Sequence, residues 1–176
     1  MIFQNTELQI VKVEIGLVKS DVLVNMVSRS LTGSSASGSL HVVAGEELFK
    51  ACLRLGNIPL GKAGITEGYN LPCKFVIHTV CPIFGQENGF EASYLEDCYK
   101  NTLQIAEQKE VRSIAFPAIS GGIGKYPIEE AAPIALESIK EYLESNSITT
   151  LNKVIISCDS EAEYNEYEAV LKEVFI

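Results

Sequence analysis

Basic residues are scarce in this chain: 14 Lys and Arg stand against 23 Asp and Glu, for a formal net charge of −9. Non-specific nucleic-acid binding rests on Lys and Arg neutralising phosphates, so no direct nucleic-acid partner is expected. No apolar run approaches the roughly 20 residues that cross a bilayer, so no membrane partner is expected either. The opening MIFQNTELQI has no basic n-region and no signal-like apolar stretch. The expected location is therefore intracellular, cytoplasmic or nuclear. Histidine is nearly absent, with only His41 and His78 far apart, and the five cysteines form no CxxC pair. A zinc site needs clustered Cys/His spacing, so no metal and no cofactor is expected. The odd cysteine count reads as reduced, mostly buried small hydrophobes in a reducing compartment. Internal repeats, low-complexity tracts and Pro/Ser-rich linkers are also missing, which points to one domain over residues 1–176, expected as a monomer.

What the acidic balance leaves open is a small phosphorylated ligand. Backbone N–H groups at a Gly-rich loop and a helix N-terminus can hold a pyrophosphate without any basic side chain. The hydrophobic fraction of 47% and charged fraction of 21% are ordinary for a globular domain. A chain of this length buries about 70% of its unfolded surface, enough for a core without staples.

Apolar patterning supplies the elements. Residues 8–15 alternate with a period of two and predict a strand. Residues 22–25, 75–80, 113–118 and 154–158 are short apolar runs, as expected for strands covered on both faces. Three-to-four spacing predicts helices over 39–55, ending at Gly56, and over 92–108, 128–143 and 161–172, the third starting after Pro127. Strands alternating with helices predict a three-layer α/β/α domain with a mixed, mostly parallel sheet. Ligands of such sheets sit beyond the carboxyl ends of the strands.

Two small-residue loops take that position, residues 33–38 after one strand and 120–124 after another. Glycine and serine let backbone approach a ligand closely. An ordinary turn explains either loop alone just as simply, and on composition the choice between turn and anion cradle stays open. His78, on an apolar strand, reads as a satisfied core histidine, and His41 as a packing or capping residue. Gly121-Gly122-Ile123-Gly124 lacks the G-x-G-x-x-G spacing and acidic partner of a dinucleotide fingerprint. The acidic run 161–168 reads as a solvated helix face.

Four segments, in order and at matching separations, resemble the macrodomain family over nearly the whole chain. Val13-Glu14-Ile15-Gly16 sits where family members read G-D-I-T. Ser20-Asp21-Val22-Leu23-Val24-Asn25-Met26-Val27-Ser28 is similar to V-D-A-I-V-N-A-A-N. The stretch from Thr66 through Gly68, Tyr69, Leu71, Pro72, Lys74 and His78 to Pro82 resembles T-x-G-Y-x-L-P-x-K-x-V-I-H-T-V-G-P. Pro117 to Pro127 resembles P-A-I-S-T-G-I-F-G-Y-P. The resemblance implies an ADP-ribose cleft. Glu14 and Ile15 would end the first strand at the adenine, with the Glu14 carboxylate accepting from the adenine amino group. A solvated strand-end Glu is the alternative. Asn25, Ser28, Ser34, Ser35, Ala36 and Ser37 would line the first loop. The backbone of Ser120, Gly121, Gly122, Ile123 and Gly124 would hold the diphosphate, and Asp159 would lie on the adenine side.

The resemblance departs at one end. Hydrolytic members read N-A-A-N and then G-G-G-V-D-G, and here the second Asn and the Asp become Ser28 and Ser37. An aromatic of the second loop becomes Gly124. Serine without a neighbouring base is no carboxylate, and losing acid/base and positioning groups together costs several orders of magnitude in rate. The pattern looks more like the non-hydrolytic macrodomains of PARP-family ADP-ribosyltransferases, in which case residue 1 would be a boundary inside a longer protein. The expected function is thus an ADP-ribose-binding module that reads mono-ADP-ribosylated proteins or free ADP-ribose, with no catalytic residue. A weak ADP-ribosyl hydrolase or O-acetyl-ADP-ribose deacetylase, and a degenerate protein-interaction scaffold, are the alternatives.

Overall fold

A computed structural model describes residues 1–27 and 38–176 of the chain. Its strands are β1 (Ile2–Phe3), β2 (Thr6–Val11), β3 (Val22–Val27), β4 (Ala63–Glu67), β5 (Phe75–Val80), β6 (Ser113–Pro117) and β7 (Lys153–Ser157). Its α-helices are α1 (Gly38–Ala44), α2 (Glu46–Leu55), α3 (Glu91–Gln108), α4 (Ile128–Ser145) and α5 (Glu161–Val174), with 3-10 turns at Ile15–Leu17 and Ile123–Lys125. The strands form one sheet in the order β1-β2-β7-β6-β3-β5-β4. The central five are parallel, and β1 and β4 pair antiparallel at its two edges. The expected α/β/α architecture with a mixed, mostly parallel sheet is the one observed.

The sequence of β3 shows why the layers form. All six residues are buried, because alternate side chains meet helices on opposite faces. Val22, Val24 and Met26 enter the core built with Leu95, Tyr99 and Leu103 of α3, Leu136 and Ile139 of α4 and Tyr167 of α5. Leu23 and Val27 pack with Leu40, Leu48 and Cys52 of α1 and α2. Among the described residues no helix is long and apolar enough to cross a membrane.

Three expectations need correction. The strand expected over 8–15 stops at Val11. Cys158 N–H still donates to the Val11 carbonyl (2.8 Å), but the chain then turns at Glu14 into the 3-10 turn, which buries Ile15 beside Val18 and Leu23. Alternation continued past the strand because Val13 and Ile15 kept the period while the backbone left the sheet. The helix expected over 39–55 is two helices, broken at Gly45, whose φ of 78° lies in the left-handed region that glycine tolerates. Both edge strands went unpredicted: β1 has two residues, and β4 is half-buried without alternation.

At the amino-terminal edge of the sheet, Asp21 joins three strands. Its carboxylate accepts from Arg112 N–H (2.9 Å) and Ser113 N–H (3.3 Å) and pairs with Lys74 Nζ (2.9 Å). Its carbonyl accepts from Lys74 and Phe75 N–H. Partial burial opposes ionisation, but Lys74 and the two amides outweigh it and hold the carboxyl below its ordinary value. A lowered folded-state pKa gives stability that is present above the unfolded value and lost as pH falls through the folded one. Asp21→Ala is expected to cost about 1–3 kcal/mol at neutral pH. Urea denaturation should show that deficit shrinking as pH drops below about 4; a deficit constant down to acid pH would contradict the role given to the charge.

Candidate functional site

Because the five central strands are parallel, their carboxyl ends share one edge, and the segments leaving β2, β7, β6 and β5 meet there. The segment after β3 carries Ser28, Ser34, Ser35, Ala36 and Ser37, all of which lie outside the described residues. The segment after β6 is described, and α5 holds it from below. Ala118 N–H donates to the Ser157 carbonyl at the end of β7 (2.7 Å). Ile119 N–H donates to the buried Tyr167 hydroxyl (3.0 Å), and Ser120 Oγ donates to Glu163. Glu163 and Tyr167 are four residues apart on α5, so one helix face holds two consecutive loop residues.

Glu163 does more than meet Ser120. It also accepts from the N–H groups of Asp159 (2.6 Å) and Ser160 (3.2 Å), while Ser160 Oγ accepts from Glu163 N–H (3.1 Å). This is a capping box at the start of α5. The solvated face expected over 161–168 is corrected at Glu163, which is half-buried and fully engaged, while Glu161 stays exposed. The S-x-x-E spacing at Ser160 and Glu163 was the signal for the cap; nothing in the sequence marked the reach to Ser120.

Within the loop the backbone turns tightly. Gly121 (φ 58°) donates to the Tyr126 carbonyl (2.7 Å), and Gly122 N–H donates to the Ser120 carbonyl (2.5 Å). Two of the amides expected to face a diphosphate are thus used inside the loop. Ile123 and Gly124 follow as the first residues of the 3-10 turn, where helical geometry leaves N–H groups without partners inside the turn. Gly124 (φ 65°) lies against the segment after β5: a Cβ there would sit 2.2 Å from the Pro82 carbonyl oxygen. Its own carbonyl accepts from Phe84 N–H (2.7 Å).

At the other end, Glu14 is exposed and caps the 3-10 turn rather than ending a strand; Ile15, beside it, is buried. Asp159 N–H is tied to Glu163, and loss of hydration, then the charges of Glu163 and Glu14, raise the Asp159 carboxyl above its ordinary 3.8. The structure therefore brings Glu14, Asp159 and Ser120 together, with Glu163 as the added member. Asn25 is placed in the core, fully buried, its amide donating to His78 Nδ1 (3.0 Å) across the β3–β5 pair. An accepting Nδ1 puts the imidazole proton on Nε2, which donates to Thr66 Oγ1 (2.9 Å), and Thr66 in turn donates to the Glu67 carbonyl. Burial and nearby His41 hold the His78 pKa down at about 4, so it is the neutral core histidine its strand implied. Burial pushes the Cys52 and Cys73 thiols up to about 11 and Cys158 to about 12, which suits inert thiols.

The macro domain model matches residues 24–135, spanning β3 to the first half of α4. The chain belongs to the macro domain family. A macro domain-containing protein of Chlorobaculum tepidum is 40% identical over 168 residues, covering 95% of this chain and 96% of that protein. The human ADP-ribose glycohydrolase MACROD2 is 40% identical over 164 residues, covering 92% of this chain but 38% of MACROD2. A solved Oceanobacillus iheyensis macrodomain with ADP shares the fold at a TM-score of 0.89 and 38% identity, covering 97% of this chain and 92% of that one. None of these three bears the name of a PARP-family ADP-ribosyltransferase, so that narrower likeness gains no support from them.

In this macro domain the Tyr167 hydroxyl is the partner of a buried loop amide. Tyr167→Phe should leave Ile119 N–H unsatisfied at a cost of about 1–3 kcal/mol, and amide exchange should quicken at Ile119 and Ser120. Unchanged stability and exchange would show that the loop holds itself.

Proposed function

We propose that this macro domain is a binding module for ADP-ribose, free or attached to protein, and that it hydrolyses the ligand poorly. The observation that carries the reading is the loop from Ser120 to Gly124, fastened to α5 at one end and to the β5 exit at the other, with its glycines at the sheet's carboxyl edge. A diphosphate over this loop would take the amides of Ile123 and Gly124, and Gly121 and Gly122 would join by giving up their internal bonds. The adenine would lie toward Glu14 and Asp159, whose carboxylates accept from an exocyclic amino group. The names of relatives, one an ADP-ribose glycohydrolase and one a macrodomain with ADP, support a ligand of this class. The reading treats residues 1–176 as one domain acting inside the cell, where mono-ADP-ribosylated proteins would be its partners. It requires no cofactor.

Titration calorimetry is the test of binding. ADP-ribose should bind with 1:1 stoichiometry and raise the melting temperature, with AMP weaker. No heat and no thermal shift at millimolar ligand would sink the proposal.

A second reading has a specific observation behind it, the glycohydrolase name of MACROD2. Against it stand Ser28 and Ser37, neither of which supplies a carboxylate base. Incubation with a mono-ADP-ribosylated protein should therefore give a flat time course of ADP-ribose release. Release with turnover would reverse the assignment and make this chain a hydrolase.

A further inference from the structure

Lys125 closes the 3-10 turn with a backbone that its residue type disfavours. Its φ of 52° lies in the left-handed region, where a Cβ crowds the following carbonyl oxygen. Glycine has no Cβ to crowd, and glycine is what the pattern P-A-I-S-T-G-I-F-G-Y-P has at this place. Three backbone bonds hold the lysine there. Lys125 N–H donates to the Gly122 carbonyl (3.4 Å), Phe84 N–H to the Gly124 carbonyl (2.7 Å) and Gly121 N–H to the Tyr126 carbonyl (2.7 Å). Gln4, Tyr69, Asn88 and Glu110 share the conformation, but Lys125 has it beside the loop after β6. Strain of this kind persists only where the surroundings impose it, and finding it at a ligand edge points to a use for the side chain.

The other charges at this edge are mostly negative. Glu14, Asp159 and Glu163 gather near the β7 exit. Near the β5 exit the Glu87 carboxylate accepts from Ile83 N–H (3.4 Å), and the Glu91 carboxylate accepts from Glu87 N–H (2.8 Å). Two lysines stand on the strand exits. Lys12, one residue past β2, pairs with Glu161. Lys125 is exposed and, among the described residues, pairs with no carboxylate. An unpaired ammonium beside the loop offsets the repulsion that these carboxylates exert on an anion.

We infer that the Lys125 ammonium binds the second phosphate of the ligand, and so favours nucleoside diphosphates, with or without a terminal sugar, over the monophosphate. The inference rests on the proposed function and deepens it. With the adenine at Glu14 and Asp159, the first phosphate is the nearer one to them. Lys125 follows Gly124, whose carbonyl is tied to the β5 exit, so it stands at the other end of the loop from the Ser120–Glu163 contact. Its four-carbon stem lets the ammonium reach an anion over the amides of Ile123 and Gly124, the two residues before it. A charge-assisted hydrogen bond then adds the full charge that backbone amides lack.

Calorimetry with ADP-ribose, ADP and AMP on the unaltered chain, Lys125→Gln, Lys125→Arg and Lys125→Gly tests this. Lys125→Gln should weaken ADP-ribose and ADP roughly 3- to 10-fold and leave AMP within about 2-fold. Lys125→Arg keeps the charge and should hold all three within about 2-fold. Lys125→Gly should weaken ADP-ribose as Lys125→Gln does, yet raise the melting temperature of the ligand-free protein by roughly 2–4 °C, because glycine relieves the strain. Unchanged ADP-ribose affinity in Lys125→Gln would overturn the inference while leaving the proposed function standing. Equal weakening of AMP, or an arginine variant as weak as the glutamine one, would also overturn it, since the residue would then not act through charge on the second phosphate. A lower melting temperature for Lys125→Gly would overturn it by showing that the lysine serves the fold. No ADP-ribose binding by the unaltered chain would overturn both.

Discussion

The Glu163 carboxylate is the contact on which the carboxyl edge of the sheet depends. It accepts from Ser120 Oγ of the loop after β6 and from the Asp159 and Ser160 amides after β7. Hydrogen bonds to an ionised acceptor are worth about 1.5–3 kcal/mol each, more than neutral ones. One side chain thus starts α5, orients Asp159 and fixes the entry of the glycine loop. Tyr167, one turn further along, secures the preceding residue. A loop of small residues would otherwise sample many conformations, and the helix beneath it removes that freedom before any ligand arrives.

The two ends of this edge differ in character. Glu14, Asp159 and Glu163 gather at one end, where loss of hydration and then the neighbouring carboxylates raise the Asp159 carboxyl. The other end carries Pro82, Gly124, Tyr126 and the exposed ring of Phe84, with the Glu87 carboxylate accepting from Ile83 N–H (3.4 Å) beside them. A protein with a net charge of −9 would repel an anion approaching through solvent. Backbone amides at short range give the attraction that its net charge does not.

Much of this was legible in the residues, and the failures have physical causes. The run 75–80 matches the strand Phe75–Val80, because a strand covered on both faces keeps a mostly apolar sequence, interrupted here by the buried His78 and Thr79. The edge strands β1 and β4 were not read, because a short or half-buried edge carries neither a long apolar run nor clean alternation. The one helix expected over 39–55 kept its apolar spacing across a break that only the backbone of Gly45 reveals. Motif spacing pointed to Glu14, Ser120 and Asp159, and their closeness in the fold is a matter of strand order. Nothing local pointed to the contacts Ser120–Glu163, Ile119–Tyr167 and Phe84–Gly124: their partners lie 43, 48 and 40 positions apart in the chain, and no local pattern encodes a contact of that range.

The central claim is that this macro domain lays ADP-ribose along the carboxyl edge of the sheet, adenine toward Glu14, over a loop that α5 has already set. A crystal structure of the chain with ADP-ribose tests it most directly. The account predicts adenine beside Glu14 and Asp159, the diphosphate against the turn at Ile123–Lys125, and the Ser120–Glu163 contact unchanged. Ligand in the reverse orientation, or bound only after that contact has broken, would contradict it.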